Sequence, residues 1–148
     1  MATVVTPAVS AILQEFREEA AITKRVLDRV PGDKLTWKPH EKSMTLGQLA
    51  GHVPPQPSSI QEIHSTLEQG VRDAEQILQG FTDEQLAGTF CLMKGDREIV
   101  RQPRAAIVRT IMLNHWYHHR GQLSVYLRLL DVSLPVIYGR SADTDPFA

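Results

Sequence analysis

The sequence predicts an all-α protein, a single domain over residues 1–148 built as a helix bundle with up-and-down neighbours. Three observations carry this. Long stretches repeat apolar residues at helical spacing, and proline or capping signals bound them. No stretch sustains a two-residue alternation. With 148 residues, 42% of them apolar and 22% charged, the chain can bury one core without a disulfide or metal staple.

The first helix is expected from Pro7 to about residue 29. Thr6 stands as N-cap before a proline at the first helical position, and Val9, Ile12, Leu13, Phe16, Ala20 and Leu27 form its apolar line. Val30-Pro31-Gly32-Asp33 stops it, and the turn formers through Trp37, Pro39 and Lys42 read as a loop. Thr45 and Gln48 have capping-box spacing and open a short second helix carrying Leu46, Leu49, Ala50 and Val53, which Pro54, Pro55 and Pro57 end. Ser59 and Glu62 form the next box, ahead of a third helix on Ile60, Ile63, Leu67, Val71, Ala74, Ile77 and Leu78 that closes at Gly80.

Thr82 to Leu86 read as one more helical turn. Residues 88–101 show no sustained period around the turn at Lys94-Gly95-Asp96, so an irregular segment is expected, with a small hairpin as the alternative. Pro103 opens the fourth and longest helical pattern, which runs to about Leu130 before Asp131, Pro135 and Gly139 end regular structure.

The chemistry is concentrated in the histidines. Three of the six lie in Asn114-His115-Trp116-Tyr117-His118-His119 within the last helix. At about 100° per residue from His115, Val108, Ile111, Met112, Leu123, Tyr126 and Leu130 fall in one arc spanning roughly -40° to 80°, which reads as the core-facing stripe. His119, near 40° on the same scale, falls inside that arc, and His118, near about -60°, falls at its edge. A lone histidine on an apolar face is usually a satisfied core residue. Two at i and i+4 on one stripe both need polar partners, and a shared metal supplies them.

His52, between Leu49 and Val53, is the best-placed third ligand; His40 belongs to a solvent-exposed loop and His64 to a rim. Three imidazoles with no fourth protein ligand suit zinc, nickel, iron or copper with one position open to water. Trp116 occupies the place of the glutamate in the H-E-x-x-H pattern, so the built-in base of a zinc protease is missing. Gln122, on the same stripe one turn on, is a candidate hydrogen-bond partner for a ligand; capping the edge of the core is its equally weighted alternative.

Other classes are disfavoured. Sixteen basic against seventeen acidic residues give a net charge of -1, with no footprint for nucleic acid or anionic lipid. No apolar run reaches the roughly 18 residues of a membrane span, and MATVVTPAVS lacks the features of a signal peptide, so a cytoplasmic protein is expected. The single Cys91 cannot form an internal disulfide and is given no role.

The run His115-Trp116-Tyr117-His118-His119-Arg120-Gly121-Gln122-Leu123, continuing through Tyr126-Leu127-Arg128-Leu129-Leu130, resembles the HxxxHHRGQL…YLRL signature of the DinB/YfiT-like superfamily. Val30-Pro31 with Leu35, Trp37, Lys38 and Pro39, then Met44-Thr45-Leu46-Gly47-Gln48-Leu49 before His52, extend the likeness, as does Pro135-Val136-Ile137-Tyr138-Gly139 with Ser141-Ala142-Asp143. Asp131 departs from the glycine that often ends the last helix, and Ser58-Ser59 replace an aromatic residue. The resemblance implies an antiparallel four-helix bundle, a homodimer, and one divalent metal, nickel or zinc, on His52, His115 and His119. It also implies a metal-dependent transferase or hydrolase acting on a small molecule, with a low-molecular-weight thiol as the candidate substrate. The alternative is a non-catalytic, metal-stabilised bundle that binds a small ligand or a protein.

Overall fold

The computed structural model describes residues 6–52 and 55–147. The chain is predominantly helical. Helix α1 spans Pro7–Leu27, α2 Leu46–Gly51, α3 Ile60–Gln79 and α4 Asp83–Ala87; the last helical run comprises α5 Arg104–Ile107, a π-helical stretch Val108–Asn114 and α6 His115–Leu129. Helix α1 packs on α3, and α2 packs on both α3 and α6. No helix among the described residues is long and apolar enough to cross a membrane.

The helix starts follow the sequence with two exchanges of partner. Thr6 occupies the N-cap of α1 without a side-chain cap. The Asp83 carboxylate of α4 serves instead, accepting from the N–H groups of Ala8 at 3.4 Å and Val9 at 3.3 Å and from the Thr6 hydroxyl. A carboxylate there also suits the positive end of the helix dipole. The Thr45–Gln48 box of α2 is complete. At α3 the Ser59 hydroxyl caps the Glu62 N–H, but the Glu62 carboxylate reaches one residue further, to the N–H and hydroxyl of Ser58 at 2.7 and 2.6 Å, so that box is only half formed. Val53 and Pro54, expected at the end of the second helix, lie outside the described residues.

Residues 81–102 carry the helical turn expected after Thr82 and, in place of the irregular segment, the hairpin that stood as its alternative. They hold α4, with its own Thr82–Gln85 capping box, and an antiparallel hairpin of β1 Thr89–Lys94 and β2 Arg97–Pro103. Gly95 takes a φ of 60° at the first position of the two-residue turn, the position a type II′ turn reserves for glycine. Both faces of the hairpin are largely exposed, so no side of it selects apolar residues and no alternation is written in the sequence.

The core is divided. One cluster joins Val26, Leu27, Val30, Leu35, Leu46, Leu49, Ile63, Leu123 and Leu127; the other joins Val9, Leu13, Phe16, Leu78, Leu86 and Leu113. Along α1 the boundary falls at Glu19 and Thr23, and along α6 at Arg120, the three buried polar residues. Arg120 donates to Glu19 O at 3.2 Å, Thr23 Oγ1 at 3.1 Å and Glu19 Oε2 at 2.5 Å, and also to the Tyr138 hydroxyl. That hydroxyl donates to Glu19 Oε2 at 2.7 Å, so the chain beyond α6 is tied to α1 through one carboxylate.

Candidate metal centre

His52, His115 and His119 converge. One ring nitrogen from each lies within 4.8 Å of the others, and the ring centroids are 4.4 to 4.9 Å apart. Among the described residues no carboxylate or thiol joins this group.

The position of His52 is fixed by the loop before it. The N–H groups of Leu46 and Gly47, unsatisfied at the start of α2, donate to Trp37 O at 2.7 Å and Leu35 O at 2.8 Å. Gly47 permits that approach, because a Cβ there would collide with the Gln56 amide and meet Leu35 O at 3.0 Å. Trp37 stands edge-on to Tyr126 of α6 at 5.8 Å, and the Tyr126 hydroxyl donates to Met44 O at 3.2 Å. The short helix is thereby fastened to the helix that carries the other two histidines. His52 then ends α2 with φ 54° and ψ 28°, a left-handed C-cap that other proteins usually fill with glycine or asparagine. Side chains rarely accept this strain without a local reason.

His115 and His119 share a face as their spacing requires, but not the face the wheel implied. The buried line of the last helical run passes through Leu113, Arg120, Leu123 and Leu127, roughly 110° around from His115. His115 is exposed and His119 half-buried, so the pair sits at the border of the core and opens outward. Ile111, expected on the core arc, is 66% exposed. The offset lies within regular α6, where Arg120, Leu123 and Leu127 meet the core and the His115–His119 side does not; the π-helical stretch, whose wider turns rotate less per residue, displaces only the residues before His115, Ile111 among them. Within that stretch the Thr110 hydroxyl donates to Ala106 O at 2.8 Å, competing for the carbonyl that a regular helix gives to the Thr110 N–H.

Gln122 Oε1 lies 2.8 Å from His119 Nδ1. Because that oxygen can only accept, the Nδ1 carries the proton, and Nε2 is left with its lone pair free for a metal. Burial first, then the neighbouring rings of His119 and His115, pushes the His52 imidazole below the ordinary histidine pKa. Burial has the same effect on His119, partly offset by the Gln122 bond and reinforced by His115 and His118. Both rings are thus biased toward the neutral form that ligates metals. This donor set could hold one metal ion: three imidazoles with converging ring nitrogens, and no fourth protein ligand among the described residues.

The remaining histidines stay apart. His118 stacks edge-on to His119 at 5.1 Å but is not one of the converging group. His40 is exposed and accepts from the Lys42 N–H, and His64 lies 3.5 Å from the Asp28 carboxylate. The buried Arg120–Glu19 pair was not anticipated, although Glu19 stands three residues after Phe16 on the apolar line of α1 and so signalled it.

No protein-family model matches the sequence, and no curated protein does. Solved structures are similar. A DinB-like protein from Bacillus cereus superposes with a TM-score of 0.73 at 23% identity, over 87% of this chain and 97% of that one. A DinB-like protein from Bacillus subtilis gives 0.68 at 20% identity, over 88% and 99%. The structural likeness extends over nearly the whole length of each of these proteins, and this chain has the DinB-like fold.

Proposed function

We propose that the protein binds one divalent metal, zinc or nickel, on His52, His115 and His119 and uses it to activate a small thiol for transfer. The convergence of the three imidazoles carries the reading. In it, the antiparallel frame of α1, α2, α3 and α6 is a scaffold that brings one ligand from a helix end against two from a helix face. A metal held there supplies a Lewis acid that lowers the pKa of a thiol or water presented to it. His52, His115 and His119 hold and orient that acid, and Gln122 keeps His119 in the ligating tautomer. Among the described residues no carboxylate joins the cluster to act as a general base for water, which favours an intrinsically acidic thiol over hydrolysis. Exposed Ile111, Val125 and Leu129 along the last helical run support a homodimer.

Metal analysis and metal titration of purified variants test the site. His52→Ala, His115→Ala and His119→Ala are each expected to abolish tight binding, Gln122→Ala to weaken it about 10- to 100-fold, and His118→Ala to leave it intact. Equal losses at His118 and His119 would defeat the assignment. Cobalt-substituted protein titrated with a small thiol is expected to develop a sulfur-to-metal charge-transfer band. A cobalt protein that shows none, with its metal still bound, would shift the reading to a metal-stabilised binding module.

A further inference from the structure

A cavity of about 320 Å3 opens beside the histidines, between α1, α3 and the last helical run. Phe16, Leu27, Leu67, Met112 and Trp116 line it together with His52 and His115, two of the three converging histidines. Among the described residues that line it none is an Asp, Glu, Lys or Arg, and besides the two histidines the polar side chains are Thr23, Thr66 and the indole N–H of Trp116. Gly70, mid-way along α3, also lines the cavity, and a Cβ there would enter open space with nothing within 4 Å.

The contrast between wall and mouth defines a ligand. Walls that offer so few hydrogen bonds penalise a body rich in hydroxyls or charges, which would lose its hydration without replacement. A divalent ion held by the histidines would attract an anionic head. At the roughly 30 Å3 that a water-sized group occupies, the cavity takes about ten non-hydrogen atoms.

We propose that the cavity holds the apolar body of an amphiphilic small molecule, an unbranched or aromatic chain of about ten heavy atoms, whose anionic head lies against His52, His115 and His119. The placement of the head rests on the metal reading above; the placement of the body rests on the cavity alone.

The test is calorimetric titration of metal-loaded protein with n-alkanoates from acetate to dodecanoate, with Trp116 emission as a second readout. Affinity is expected to rise about fourfold per methylene and to level off once the chain exceeds about ten carbons. Gly70→Leu, which removes helix-weakening glycine while filling the cavity, is expected to bind decanoate at least tenfold more weakly with its metal content unchanged. Equal affinity along the series, or undiminished binding by Gly70→Leu, overturns the proposal. Repeating the series on metal-free protein separates the two readings. A chain-length gradient that survives chelation upholds the cavity assignment and defeats the metal-held head. Metal-dependent acetate binding with no gradient does the reverse.

Discussion

His52 is asked to do two things, to end α2 in the left-handed conformation and to present its ring to two partners on α6. A β-carbon in that conformation costs about 1 kcal/mol relative to glycine. His52→Gly is therefore expected to stabilise the metal-free protein by about 1 kcal/mol, a rise of roughly 2–4 °C in Tm for a chain of this size, while losing metal binding. Asp131 supplies the control. It takes a φ of 57° after α6, where the Val132 N–H donates to Leu127 O and its own N–H to Arg128 O, the pairing of a Schellman end. Asp131→Gly should give a similar gain with metal binding unchanged. Thermal melts with and without chelator check both; a lower Tm for metal-free His52→Gly would show that the cap is not strained. His115 and His119 were legible because rare residue types at i, i+4 spacing survive small errors in pitch, and His52 because it follows the apolar line of the short second helix. The exposure of His115 and His119 was not, because Leu123, Tyr126 and Leu130 drew the predicted stripe toward His115, whereas the buried line of α6 also runs through Leu127, outside that arc, and through Arg120, a charged residue assigned to the surface by default.

Elements are joined here by polar contacts that local sequence does not display. The carboxylate of Glu15 on α1 pairs with Arg109 of the π-helical stretch and accepts from the Tyr117 hydroxyl of α6 at 2.8 Å. The Arg109 hydrogen bond, opposed by burial and aided by Tyr117, holds the Glu15 carboxyl below the ordinary carboxylate range. A carboxyl whose pKa is depressed by folding adds stability above its unfolded value, near 4.3, and that stability disappears as pH falls through the folded value. Wild-type protein should thus lose more stability than Glu15→Gln between about pH 5 and 3, by roughly 0.5–1 kcal/mol, in urea melts across that range. Parallel curves for the two proteins would remove Glu15 from the account. The capping box at Thr45 and the Ser59 cap were readable since both partners lie within four residues, whereas the Glu62 carboxylate, expected on Ser59, turned to Ser58. Asp83, capping α1 from across the molecule, was not, because its partners are more than seventy positions away.

Across the whole molecule the Arg120–Glu19 pair interrupts the apolar core at the level of the histidines. Its side chains are 3% and 11% exposed, and the Arg120 guanidinium lies 5.3 and 5.0 Å from the Tyr117 and Tyr138 rings. Removing one member of a buried ion pair leaves the other charge uncompensated, so Arg120→Ala is expected to cost about 3–5 kcal/mol. Arg120→Met with Glu19→Leu should restore most of that loss, because both desolvation penalties leave together. Chemical denaturation of the single and double variants decides this; a double variant as unstable as the single would mean the pair contributes more than charge balance. Sequence suggested a continuous core because charged residues are assigned to the surface by default, and only the apolar neighbours of Glu19 argued otherwise.

The hairpin has a different standing from the rest of the chain. Its strands bury no face, and its base is held by the Arg104 N–H on Gly88 O and the Arg104 side chain on Gln85 O. A two-stranded ribbon of this kind is marginal by itself. The tip at Gly95 and Asp96, set on an exposed ribbon that lines no part of the histidine cavity, is accordingly the place to graft a fluorophore, an affinity tag or a second domain: the graft can be large without any of the three imidazoles having to move.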